Sequence, residues 1–197
     1  MWKENYAMSN IPDSLKTLSA QRDPDSEYID NLTLGELCNY IVKRHHVYVR
    51  ENIPLLNKNL EIICQVHGKQ HPVLFEIKEL FVGFARDFAI HNQEEEIILF
   101  PFIYELEAAK NDKSLLPRSP FRSISKPIVM MIEEHRNADQ RFNKISELSN
   151  NYRIPEDAST TYKVTLNQLK DFGKDLQIHI QLENNILFPR AIELINE

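Results

Sequence analysis

The chain has 197 residues, 42% of them hydrophobic, which suits one compact domain with a buried core. Its formal charge of −6 argues against a nucleic-acid or anionic-membrane partner, because phosphate groups are bound by clustered lysine and arginine. No apolar run is long enough to span a bilayer, and residues 1–30 lack the apolar stretch of a secretory signal, so a cytoplasmic location is expected.

The first 31 residues are predicted to be an N-terminal arm, because they contain Pro12 and Pro24 and show little periodicity. Thr33 and Glu36 have the spacing of a capping box, in which a threonine and a glutamate three residues later cap the start of a helix. Residues 32–197 are therefore expected to form the folded domain. Only 4 glycines occur in the chain, which favours long helices over β structure with many tight turns.

Four long helices are predicted from apolar residues that recur at helical spacing and from the turn residues between them. Because the helices are joined by short loops, they predict an all-α, up-down-up-down four-helix bundle. Pro54, Pro101 and Pro189 lie within these helices and are expected to kink them. The predicted helices cover approximately residues 33–66, 72–111, 122–149 and 156–197.

The two cysteines, Cys38 and Cys64, both fall in the first predicted helix. At 1.5 Å per residue they are separated by roughly 39 Å, far beyond the reach of a disulfide. Both are therefore expected to be reduced.

An internal repeat links the second and fourth helices. Residues 84–101 and 172–189 match at ten positions with a constant offset of 88, and each copy places a histidine four residues before a glutamate. Residues at i and i+4 share one face of a helix, so the imidazole and the carboxylate can reach a common point. The repeat suggests a duplicated helical hairpin, and the two pairs are His91 with Glu95 and His179 with Glu183.

The first and third helices each supply one more histidine, His46 and His135, which lie 89 residues apart. Counted from the helix ends, one histidine of each helix falls at a similar height in an antiparallel bundle. Buried imidazoles need hydrogen-bond or metal partners, so four that converge with two carboxylates predict a metal site. His45 would point about 100° away from His46 in a regular helix and is expected to be exposed.

Six ligands exceed the four that a structural zinc accepts, and bridging carboxylates would let them hold two ions. Imidazole with carboxylate suits iron, manganese or zinc, so ligand type leaves the element open. No glutamate lies three residues before any histidine, which excludes the Glu-x-x-His signature of ferritin-like di-iron bundles.

From about residue 32 to 195, the sequence resembles the hemerythrin-like proteins, and most closely the di-iron "repair of iron centres" proteins. The resemblance implies two iron ions, with histidine ligands and bridging glutamates at the positions already singled out. The motifs that carry it are residues 44–46 with 50–54, 66–68 with 71–72, 91–101, 133–135 and 179–190.

The same resemblance marks His67 as a histidine associated with iron. In a continuous helix, however, His67 would lie roughly 30 Å from His46, so it could join the site only if the chain folded back beyond Pro54. The fuller members of the family also carry a leading domain with two adjacent cysteines, and residues 1–30 contain none.

The function implied by the resemblance is repair of iron–sulfur clusters damaged by nitric oxide or oxidants, by iron donation or nitric oxide handling. The expected partners are iron–sulfur proteins as clients and nitric oxide or oxygen as small ligands, and a homodimer is left open. A non-enzymatic di-iron protein is favoured. A hemerythrin-like carrier or sensor of oxygen or nitric oxide is the main alternative, and a metal-dependent oxidase or peroxidase is a third.

Overall fold

The computed structural model describes residues 26–115, 117 and 125–196. A short helix, α1 (Ser26–Ile29), precedes four long ones, and three of the long helices contain a π-helical turn. Helix α2 (residues 34–67) consists of Leu34–Ile41, the π turn Val42–His46 and Val47–His67. Helix α3 (residues 73–111) consists of Val73–Glu94, the π turn Glu95–Leu99 and Phe100–Asn111. Helix α4 is Ser125–Leu148, and α5 (residues 160–196) consists of Thr160–Leu182, the π turn Glu183–Leu187 and Phe188–Asn196.

The four long helices form the predicted all-α bundle. Each packs against its neighbour in chain order, and α2 also packs against α5, so the four close around a common interior. The capping box at the start of α2 is present, since Thr33 Oγ1 accepts from the backbone N–H of Glu36 and Glu36 Oε2 accepts from that of Thr33. Residues 1–25, which are most of the predicted arm, lie outside the described residues. So do residues 118–124, which include the start of the third predicted helix.

The last helix begins four residues later than the sequence suggested. The Ser159 hydroxyl caps it by accepting from the backbone N–H of Tyr162 at 3.3 Å, so α5 starts at Thr160 and not near residue 156. Before it, Asn150 and Asn151 have φ values of 51° and 57°, in the left-handed region that asparagine tolerates better than most residues. The connection therefore turns tightly and returns the chain to the bundle.

Two separate apolar clusters fill the interior. One contains Leu60, Phe84 and Phe172, and the other contains Leu37, Phe100 and Phe188. Between these clusters in sequence, on α2, α3, α4 and α5, lies a set of fully buried histidine and glutamate side chains. The bundle thus holds one polar layer between two apolar ones.

Cys38 and Cys64 are free and buried, as expected. Burial, with the charge of Glu183, raises the pKa of the Cys38 thiol far above its usual value. Among the described residues, no helix combines the length and the apolar character needed to cross a membrane.

Gly68 ends α2 at a place where a side chain does not fit. A Cβ there would lie 2.3 Å from the Cys64 carbonyl oxygen and 2.5 Å from the Phe75 ring. We expect Gly68→Ala to lower the free energy of unfolding by about 1–3 kcal/mol, because the neighbours must move to relieve the overlap. Chemical denaturation would measure the loss.

The matched control is Gly83→Ala, in the interior of α3. A Cβ at Gly83 would meet the Arg141 guanidinium, with Nη1 at 3.4 Å and Cζ at 3.8 Å, which are ordinary contacts. Alanine should stabilise the helix there by about 0.5–1 kcal/mol, since glycine loses more backbone entropy on folding. Equal effects of the two substitutions would contradict the steric explanation for Gly68.

Candidate metal centre

Six side chains meet in the polar layer. The His-x-x-x-Glu pairs come from α3 and α5, and one histidine each comes from α2 and α4. All six are at most 2% exposed although each is polar or ionisable: His46, His91, Glu95, His135, His179 and Glu183.

The six side chains form two overlapping quartets. His46 and His179 belong to one and His91 and His135 to the other, while Glu95 and Glu183 belong to both. Within each quartet, one nitrogen or oxygen atom per residue lies within 4.8 Å of the others. Because the two quartets share both carboxylates, the same six side chains could hold one cation in each quartet.

The donor atoms suit a cation better than they suit one another. Glu95 is completely buried and neither of its oxygens has a hydrogen-bond partner among the described residues, although Oε2 lies 3.5 Å from Nε2 of both His46 and His91. Nε2 of His135 points at Nε2 of His91 from 2.9 Å. Buried carboxylates and converging imidazole nitrogens are costly alone and favourable as metal ligands, so this donor set fits a metal.

The electrostatics of the cage favour positive charge. No lysine or arginine is among the buried residues that the structure describes, and the basic groups within 4 Å of the two carboxylates are imidazoles. Burial alone would lower the pKa of His91, but Glu95 and the Glu134 hydrogen bond outweigh it and raise that pKa to about 9. Without an ion, protons on the histidine rings can balance part of the negative charge of the two carboxylates.

The pKa of His179, in the other quartet, is shifted in the opposite direction from that of His91. Complete burial lowers the pKa of His179 to about 3, because the attraction of Glu183 does not compensate for the loss of water. Burial alone would raise the pKa of Glu183, but the rings of His179 and His135 hold it well below its usual range. A neutral His179 ring beside an ionised Glu183 is the protonation state that metal binding requires.

A second set of side chains holds the histidine rings from behind. Their oxygen atoms contact Nδ1, the ring nitrogen that faces away from the cage, and such contacts fix the orientation and tautomer of a metal-binding imidazole. The contacts are His46 Nδ1 with Glu96 Oε1 at 2.9 Å, His91 Nδ1 with Glu134 Oε2 at 2.8 Å and His135 Nδ1 with Asn184 Oδ1 at 3.0 Å.

The prediction that His45 is exposed is wrong. His45 is 0% exposed, and its Nδ1 lies 3.1 Å from Asp175 Oδ2. Adjacent residues of a helix point about 100° apart and can both be buried where a second helix covers them. Here α5 covers His45, whose ring stacks on that of His179 with centroids 5.6 Å apart.

The structure does not bring His67 to the cage. The segment Val47–His67 continues without folding back at Pro54, so His67 lies at the far end of α2. There its Nε2 lies 3.0 Å from Ser159 Oγ and its ring packs against Tyr162, with centroids 5.2 Å apart. Because the chain does not fold back beyond Pro54, His67 does not reach the site.

Glu96, Asn184 and Asp175 contact the cage histidines or their neighbour His45, and sequence reasoning did not predict these contacts: it took Glu96 for a solvated residue or one lining an ion path. One signal was available, because Glu96 and Asn184 occupy corresponding positions of the repeat, each directly after a cage glutamate. Asp175 is a repeated position as well, matching Asp87, but Asp87 pairs with Arg141 on the surface. The repeat alone therefore does not show which of the two aspartates contacts a buried histidine and which pairs with arginine at the surface.

The bundle and its buried layer of four histidines and two shared glutamates define a non-haem, metal-binding four-helix protein. Residues 39–191 match the family model described as the hemerythrin HHE cation binding domain. The chain belongs to this family, which confirms the resemblance found in the sequence.

Curated relatives carry the name "Iron-sulfur cluster repair protein YtfE". Those from Enterobacter sp. (strain 638) and Edwardsiella ictaluri are 30% and 31% identical over 161 and 159 residues, which are 82% and 81% of this chain. The one from Yersinia pestis (strain Pestoides F) is 31% identical over 173 residues, or 87% of this chain. This chain spans 67%, 66% and 72% of the lengths of these relatives, or about two thirds to three quarters.

Proposed function

We propose that this protein holds two iron ions and serves in the repair of damaged iron–sulfur clusters by donating iron. The observation that carries the proposal is the pair of overlapping quartets, in which Glu95 and Glu183 are each shared by two histidine pairs. The names of the relatives support iron as the metal and cluster repair as the role.

Each ion would have four protein ligands, namely one pair of imidazoles and the two shared carboxylates. His46 and His179 would hold one ion, and His91 and His135 would hold the other. Iron in such a site has positions for exchangeable ligands, which allows small molecules to bind and the ion to be handed over.

The metal-free cage can hold a proton in place of part of the missing cation charge. The pKa of His91 is raised to about 9 without metal, so its ring is protonated at neutral pH when the cage holds no ion. Glu134, which is 41% exposed, contacts the same ring and connects it to solvent. The chain can thus replace part of the lost positive charge by protonation.

The test mixes the anaerobic, ferrous-loaded protein with an apo ferredoxin, sulfide and a thiol reductant, and follows the absorbance of the cluster. An iron chelator in excess would trap ions that reach bulk solution. We expect the loaded protein to rebuild clusters under conditions in which an equal amount of free ferrous iron does not.

Two variants act as controls. The double variant Glu95→Gln/Glu183→Gln removes the shared carboxylates and should donate nothing, whereas Glu133→Gln, which alters an exposed carboxylate on α4, should behave like the wild type. If the wild type rebuilds no more cluster than the double variant, donation is wrong. A stable oxygen or nitric oxide adduct without cluster formation would instead support the carrier or sensor function.

A further inference from the structure

The two halves of the bundle place corresponding residues behind the histidine rings, and these residues are not all equivalent. Between α3 and α5 the repeat offset is 88, so Glu96 corresponds to Asn184. Glu96 Oε1 contacts Nδ1 of His46, and Asn184 Oδ1 contacts Nδ1 of His135. At these two positions the duplication preserves one kind of contact.

At the other two positions the contact is not preserved. Between α2 and α4 the offset is 89, so Glu134 corresponds to His45. Glu134 Oε2 lies 2.8 Å from Nδ1 of His91, whereas the ring of His45 stacks on that of His179, with centroids 5.6 Å and planes 17° apart. Nδ1 of His179 is buried and has no hydrogen-bond partner among the described residues.

His45 is itself held in place by a charged pair. Asp175 Oδ2 lies 3.1 Å from His45 Nδ1, and Arg44 Nη1 donates to Asp175 Oδ1 at 3.1 Å. Asp175 is 6% exposed, while its counterpart in the repeat, Asp87, pairs with two arginines at the surface. The two halves of the bundle therefore differ in a connected set of contacts around the His45 ring.

An imidazole that binds metal through Nε2 carries its proton on Nδ1, and an acceptor there orients the ring and makes it a stronger ligand. Loss of such an acceptor typically weakens metal binding by about 10–100-fold. The His91–His135 position has an acceptor behind both of its rings. At the His46–His179 position, Glu96 supplies an acceptor behind His46, whereas Nδ1 of His179 has no hydrogen-bond partner among the described residues and the ring of His45 stacks beside it.

We infer that the two metal positions retain their ions unequally, that the ion between His46 and His179 leaves first, and that His45 is the positioning residue responsible. The inference rests on the proposed pair of ions and adds an order of release to it. The first ion would be the one donated, and the ion between His91 and His135 would remain.

The first experiment uses the wild-type protein with both ions bound. A ferrous chelator should remove iron in two kinetic phases of about one ion each, with rates that differ by about 10-fold or more. Crystals of the half-depleted protein, measured at the iron absorption edge, should then show the stronger anomalous peak between His91 and His135. Two peaks of equal height, or the reverse order, would overturn the inference.

The second experiment changes the residue held responsible. In His45→Gln the amide nitrogen can still donate to Asp175, while the amide oxygen can accept from Nδ1 of His179. This variant should slow the fast phase by about 10-fold and leave the slow phase unchanged. A residue that served only for packing would give a lower melting temperature, with the fast phase unchanged or faster.

The matched control is Asn184→Leu, which removes the acceptor behind His135 at the other position. It should accelerate only the slow phase and so bring the two rates together. A protein that never binds more than one iron ion would contradict the proposed pair itself, whereas two ions that leave at one rate would contradict only the inequality. If the glutamine variant does not fold, the anomalous peaks of the wild type still decide.

Discussion

Replacing Glu95 and Glu183 together with glutamine should lower the bound iron from about two ions per chain to nearly none, because both quartets of candidate ligands share these two carboxylates. Glutamine keeps the size of the side chain but removes its charge. Each position would be left with two imidazoles and two weakly binding amides. Metal analysis after anaerobic loading would measure the loss.

The same substitution should leave the helical circular dichroism in place. Both carboxylates are 0% exposed, and Glu95 has no hydrogen-bond partner among the described residues, so its buried charge destabilises the metal-free fold. The melting temperature of the metal-free variant should therefore not fall below that of the metal-free wild type. Full iron occupancy in the double variant would show that the shared glutamates are not ligands.

The second large effect is expected from Phe84→Ala, which should lower the free energy of unfolding by about 3–5 kcal/mol. Phe84 is 1% exposed and lies among four other rings, with centroid distances of 4.8 Å to Phe142, 5.0 Å to Phe88, 5.6 Å to Phe172 and 5.9 Å to Phe81. Alanine would leave a cavity that these rings cannot fill without losing their edge and stacked contacts.

The control for Phe84 is Phe75→Ala in the first part of α3, where the ring is 49% exposed. Removing a half-exposed ring leaves no closed cavity, so the change should be well under half of that at Phe84. Urea denaturation of the metal-free proteins would compare the two without the contribution of bound iron. Equal losses would contradict the expectation that the buried Phe84 ring contributes more to stability than a half-exposed one.

The bundle could be predicted because its pattern is local. Apolar residues at helical spacing and the Thr33 capping box give four helices and the start of the first, and both are present. The boundary near residue 156 was less accurate, because several residues there could cap a helix. The contact that Ser159 makes with Tyr162 selects among them.

The cage residues could be predicted because a histidine and a glutamate four residues apart share a helix face whatever the rest of the chain does. Recurrence of this pair at an offset of 88, with His46 and His135 on the other two helices, brought all six side chains to one height. Their assignment as metal ligands stays a prediction until an ion is bound and measured. His67 shows the limit of motif resemblance, since the unbroken helix keeps it away from the cage.

By itself the sequence determined the helices, the duplication and the six residues of the cage, because each follows from spacing along one helix. Tertiary structure alone decided what stands behind the rings. Glu96 meets His46 across 50 positions of the chain and Asn184 meets His135 across 49, and such contacts depend on how neighbouring helices are rotated. The packing of α5 against α2 decided the burial of His45, because its ring stacks on His179 and its Nδ1 contacts Asp175, and the sequence of α2 does not show which of its side chains α5 covers.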